Sequence, residues 1–174
     1  MALNDLEKKI EELSEESNID IEKIKILFEQ GANPNALEYD IPEEVLPHIY
    51  HWDTLLGKCI WYAIDNNANI FELVKTFIEF GFDLTKYGHC ILADFHFITG
   101  NSSSDIIELA KLVVESSSEK IDVSEALDDI TGTFMCGMQL TKFEEEYLEI
   151  YEQFLKAYRD GEDYSAFKKP VNKN

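Results

Sequence analysis

The sequence predicts an all-α protein built as a stack of about four helical hairpins with helical caps. Three observations carry this. Apolar residues recur at spacings of three and four in segment after segment, and the alternation of half-buried strands is almost absent. One helical motif returns at offsets of 50 and then 36 residues. The chain, at 174 residues, can bury a sizeable core, and its three cysteines show no paired spacing, so packing must hold it without a staple.

Each element follows from its residues. Leu3, Leu6, Ile10 and Leu13 form one stripe among lysines and acids, with Asn4 or Asp5 placed to cap the start. Ser17 and Asn18 break the chain before a second helix, in which Ile21, Ile24, Leu27 and Phe28 share a face. Gly31 stands where a helix end needs a positive φ. A second pair comprises residues 53 to 65 and the helix carrying Ile70, Leu73, Val74 and Phe77, which stops at Gly81. A third comprises residues 90 to 98 and IIELAKLVVES, entered through an N-cap at Ser104 and closed by Ser117 in place of a glycine. Residues 124 to 130 open a fourth pair, completed by a helix over 142 to 159. That last helix gathers Phe143, Tyr147, Ile150, Tyr151, Phe154 and Tyr158 on one side and glutamates on the other, as a terminal cap requires. Residues 1 to 160 thus read as one domain, and the polar tail 161 to 174 is expected to fray.

The repeated motif resembles a known family. IKILFEQGANPNA and LVKTFIEFGFDLT are similar to the segment of ankyrin repeats that joins the second helix to the finger loop, clearest over residues 19 to 36 and 69 to 86. Gly31-Ala32-Asn33-Pro34-Asn35 is the most specific piece. The family's Thr-Pro-Leu-His opening is shadowed by Asp53-Thr54-Leu55-Leu56-Gly57, where Leu and Gly replace Pro and His. The offsets exceed the family's period of about 33, which requires insertions. The resemblance implies an ankyrin-like α-solenoid whose function is protein binding.

Charge narrows the partners. Thirty-five acids oppose fifteen cations, a formal net charge of -20, and Arg159 is the only arginine. Nucleic acids and anionic membranes are therefore disfavoured, while a basic protein would be steered toward the molecule. The N-terminal residues lack the apolar core of a signal peptide, no apolar run approaches a membrane span, and a cytoplasmic location is the expectation.

Candidate contact residues fall in two places. The insertion over 36 to 52 offers Tyr39, Glu43, Glu44, Tyr50 and Trp52, and either contacts a partner or folds back through Ile41, Val45, Leu46 and Ile49. On the helix after it, Trp61 falls opposite the apolar face with Tyr62 at its edge, so Trp61 is either an anchor or covered by the insertion. Phe95, His96 and Phe97 occupy the corresponding part of the next first helix, and His96 is taken as the contact there. The four histidines and three cysteines form no zinc spacing, no phosphate-binding glycine loop occurs, and neither metal nor cofactor is expected. The expected function is a non-catalytic protein-binding module. The alternative is a small acidic inhibitor or immunity-type protein that binds a basic partner such as a nuclease or toxin.

Overall fold

A computed structural model describes residues 3–39, 42, 44–45, 49, 53–64, 69–98 and 105–171, and among these the chain is helical, without a strand. The helices are α1 (Asp5–Ser14), α2 (Ile21–Glu29), α3 (Leu55–Ile64), α4 (Ile70–Glu79), α5 (Leu84–Asp94), α6 (Ile106–Ser116), α7 (Ser124–Met135) and α8 (Lys142–Asp160). One 3-10 turn, Phe95–Ile98, continues α5.

Short polar side chains start most of these helices. Asn4, Asp20, Asn69, Asp83 and Asp105 each accept backbone N–H groups of the first turn, and Thr141 does so within a reciprocal capping box with Glu144. Each such cap stabilises its helix by about 1 kcal/mol. The cap of α6 is Asp105, whose carboxylate accepts from Ile107 and Glu108 at 3.0 and 3.2 Å, and not Ser104 as the serine run suggests. Ser104 itself lies outside the described residues.

Helix α5 starts six residues earlier than the periodicity indicates, at Leu84. Gly88 conceals it, because a mid-helix glycine reads as a breaker. Packing explains that glycine: a Cβ there would come within 2.7 Å of the Ile121 side chain.

Helices of one hairpin pack on each other and on the next hairpin. α1 lies against α2 and α3, α3 against α4, and α5 against α6 and α7. The second helices follow suit, with α2 on α4, α4 on α6 and α6 on α8. One continuous apolar core results, from Ile10 and Ile24 through Leu73, Phe77, Ile91 and Leu109 to Tyr147, Tyr151 and Phe154.

The two glycine stops are built alike. At each, the glycine N–H donates to a carbonyl three residues back (Gly31 to Phe28, Gly81 to Ile78), and the next N–H donates five back (Ala32 to Leu27, Phe82 to Phe77). The glycines carry φ of 104° and 94°, in a region where an L side chain is strained. The loops are then joined to each other: Asn35 accepts the Asp83 N–H at 2.6 Å and donates to the Gly81 carbonyl at 2.8 Å.

The C-terminal tail does not fray over its described length. Phe167 and Tyr164 pack edge-on against Phe154, Pro170 is buried, and the Lys111 ammonium donates to the Ser165 and Phe167 carbonyls at 3.2 and 2.9 Å. The composition of this tail is polar, but two aromatics in it are enough to cover the edge of α8.

Candidate interaction surface

The segment between α2 and α3 is closed at its base by a short neck. Glu38 N–H donates to the Asp53 carbonyl and Leu55 N–H to the Ala36 carbonyl, both at 2.9 Å, around an isolated antiparallel bridge between Leu37 and Thr54. The Tyr39 hydroxyl closes it further by donating to Asp53 at 2.5 Å, and that bond raises the tyrosine's pKa. Thr54 then caps α3 by accepting the Gly57 N–H at 2.9 Å. Beyond the neck, Ile49 is buried in the core while Glu44 and Val45 are exposed. Glu43, Tyr50 and Trp52, named above as contact candidates, lie outside the described residues, as do Ile41 and Leu46.

Helix α3 divides its side chains as its periodicity demands. Leu55, Leu56, Cys59, Ile60 and Ala63 are buried, and Trp61 on the opposite side is 51% exposed. Its ring meets that of Phe97 edge to face, with centroids 6.3 Å apart. Phe97 is 47% exposed, while its neighbours Phe95 and His96 are buried. Of the three rings it is Phe97, and not the expected His96, that is exposed. The 3-10 turn rotates the imidazole inward, where Nδ1 lies 2.5 Å from the Ala93 carbonyl and the ring lies under Phe97 at 3.7 Å. Burial holds the His96 pKa below its usual value, with Ala93 and the Asp129 charge opposing part of that effect.

Tyr62 sits beside Trp61 and faces α1. Its hydroxyl donates to Glu11 at 3.3 Å, and burial and then the Glu11 charge push its pKa up. Lys58, one turn earlier, places its ammonium 3.2 Å from Glu11 and also against Glu38. Burial works against that charge, but the hydrogen bonds to Glu38 and Glu11 outweigh it and the lysine's pKa rises. A polar hollow of about 480 Å³ opens here, lined by Glu11, Glu12, Glu15 and Glu38 with Lys8 and Lys58.

Polar anchors that helical periodicity does not show hold this surface in place. Glu7 is buried, and its carboxylate accepts the Asn4 N–H at 2.8 Å and the Asn33 N–H at 3.0 Å, tying α1 to the first glycine loop. The Asn4-x-x-Glu7 spacing is a capping-box signature and could have announced it. On α8 three stripe tyrosines complete other backbones: Tyr147 accepts Ile106 N–H at 2.7 Å, Tyr158 accepts Ile121 N–H at 2.9 Å, and Tyr151 donates to the Leu92 carbonyl at 2.6 Å.

No helix among the described residues is long and apolar enough to cross a membrane. No family model, curated protein or solved structure matches the chain.

Proposed function

We propose that this protein is a non-catalytic binding module, an ankyrin-like stack of four hairpins that holds another protein on the side where Trp61 and Phe97 emerge. The observation that carries the reading is that aromatic pair. Two large rings, one from α3 and one from the turn that continues α5, stay about half exposed, yet meet each other in an edge-to-face contact. Such rings carry most of the energy where proteins meet, and here one from α3 and one from the turn after α5 reach the surface together.

The stack itself is supported by three features. Among first helices α1 packs on α3 and α5 on α7, and among second helices α2 packs on α4, α4 on α6 and α6 on α8. The glycine turns after α2 and α4 repeat the same pair of hydrogen bonds. Gly88 of α5 faces Ile121, just before α7, and His96 in the turn after α5 feels Asp129 of α7; both pairs are 33 residues apart. That is the repeat length of the family the sequence resembles. Arrays of this kind bury their core between neighbours and leave an extended surface of first helices, which suits a protein ligand better than a small molecule.

The test is a photoreactive amino acid placed at position 61 in cells that express the chain, with a control at exposed Gln153 on α8. One partner crosslinked from position 61 and absent from position 153 is the expected result. Equal labelling from both, or none from 61, refutes the reading.

A further inference from the structure

The surroundings of Trp61 and Phe97 specify the chemistry of the partner. Carboxylate-bearing helices pack on both elements that carry the pair, α1 on α3 and α7 on the Phe95–Ile98 turn. On one side α7, which carries Asp129, packs against the turn that holds His96, the ring beneath Phe97, and the Asp129 charge is felt by that imidazole. On the other, Glu11 of α1 accepts the hydroxyl of Tyr62, the neighbour of Trp61, at 3.3 Å, and Glu15 at the end of α1 adds its charge there. Cations are scarce between them. Helix α7 holds Glu125, Asp128 and Asp129 and no lysine or arginine, and the Phe95–Ile98 turn holds none. The one lysine of α3, Lys58, has its ammonium between Glu11 and Glu38.

We propose, resting on the binding reading above, that this surface takes a lysine- and arginine-rich segment of a partner protein. Lysine and arginine bury their aliphatic stems on apolar surface and keep the charged end at its rim. A tryptophan face attracts that cation directly. With carboxylates at both edges, the stems lie over Trp61 and Phe97 and the charged ends reach Asp129 on one side and Glu11 and Glu15 on the other. An acidic segment would be repelled by these carboxylates, and an apolar one would add no cation to a region where they outnumber the lysines.

Two amphipathic peptides of about 20 residues, one of lysine and leucine and one of glutamate and leucine, serve as probes of the full chain by fluorescence anisotropy. The lysine peptide is expected to bind and the glutamate peptide not to. Trp61→Ala and Phe97→Ala should each weaken binding about tenfold or more, with circular dichroism confirming the fold. Trp61→Lys, tolerated at a half-exposed position, should do the same by repulsion. Asp129→Asn should weaken binding more than Glu146→Gln, which removes an equal charge from an exposed position on α8, and affinity should fall between about 0.05 and 0.5 M NaCl.

The proposal is overturned if neither peptide binds, if the glutamate peptide binds equally well, or if Trp61→Ala leaves the lysine peptide unaffected. It is also overturned if Glu146→Gln matches Asp129→Asn, or if sedimentation shows a wild-type dimer that Trp61→Ala dissociates, since the occupant would then be a second copy. A crosslink from position 61 to a partner surface without basic residues overturns this assignment and leaves the binding module standing. Absence of that crosslink refutes the module itself.

Discussion

Asn35→Ala cuts a link between the first two glycine loops at a single side chain. Asn35 accepts the Asp83 N–H at 2.6 Å and donates to the Gly81 carbonyl at 2.8 Å. Gly81 closes α4 and Asp83 caps α5, so the bridge joins the finger of one hairpin to the entry of another. Two hydrogen bonds at about 0.5 to 1.5 kcal/mol each give a loss of about 1 to 3 kcal/mol, and partial access of water to the site favours the lower half, about 1 to 2 kcal/mol. For a urea slope of about 2 kcal/mol/M, the midpoint should drop by about 0.5 to 1 M at unchanged slope. Asn35→Asp is nearly isosteric and keeps the acceptor. It loses the donor and adds a charge beside Asp83, so at neutral pH it should cost at least as much. Urea titrations followed by far-ultraviolet circular dichroism measure both variants. A shift below about 0.2 M for Asn35→Ala, within the range of ordinary surface substitutions, would refute the claim that the bridge couples neighbouring hairpins.

Three further outcomes follow from buried groups. Tyr147→Phe strands the Ile106 N–H at the start of α6 and should cost about 1 to 3 kcal/mol in urea unfolding; a loss under about 0.5 kcal/mol would mean that another acceptor replaces the hydroxyl. Burial lowers the His96 pKa, so the unfolded chain takes up a proton first as pH falls below about 6.5, and stability declines from there until the folded-state value is reached. His96→Gln should flatten that part of the stability profile between pH of about 7 and 5 while leaving the carboxylate-driven loss at lower pH, and an unchanged slope would contradict the buried placement. Burial pushes the Cys59 and Cys90 thiols up to about 12 while Cys136 is exposed. Ellman's reagent should therefore find one fast thiol in the native protein, absent in Cys136→Ser, and the other two on unfolding.

Periodicity was a sufficient guide wherever a helix shows one face to the core and one to water. α1, α2, α4, α6 and α8 are legible for that reason, and Gly31 and Gly81 mark their turns because only a residue without Cβ adopts their φ at no cost. The first half of α5 is hidden because Leu84, Tyr87, Gly88, Cys90 and Ile91 are all buried, so the helix lies covered on most sides and the polar contrast that marks a face is weak. The exposed aromatic pair was half legible. Helical geometry places Trp61 outside, but it cannot tell which of Phe95, His96 and Phe97 faces water, because the α-to-3-10 change after Asp94 alters the angle per residue. Links such as Glu7 to Asn33 and Tyr147 to Ile106 span distances in the chain over which a sequence pattern carries no signal.

The excess of twenty negative charges is not one phenomenon. Asp20, Asp83, Asp105, Glu7 and Glu144 have backbone amides to hold, and Glu11 and Glu38 hold Lys58. Asp128 and Asp129 do neither. They stand past the first turn of α7, where a negative charge gains little from the helix dipole, and Asp129 follows Glu125 by four residues, a like-charge spacing that destabilises a helix by about 0.2 to 0.5 kcal/mol. A residue that costs stability where it stands, on a helix packed against the turn that carries Phe97, is better explained by what it binds. Asp129→Asn should therefore raise the urea midpoint slightly while weakening the lysine-rich peptide. If it lowers both, the carboxylate serves the fold, and the acidic rim of the aromatic pair has no role in recognition.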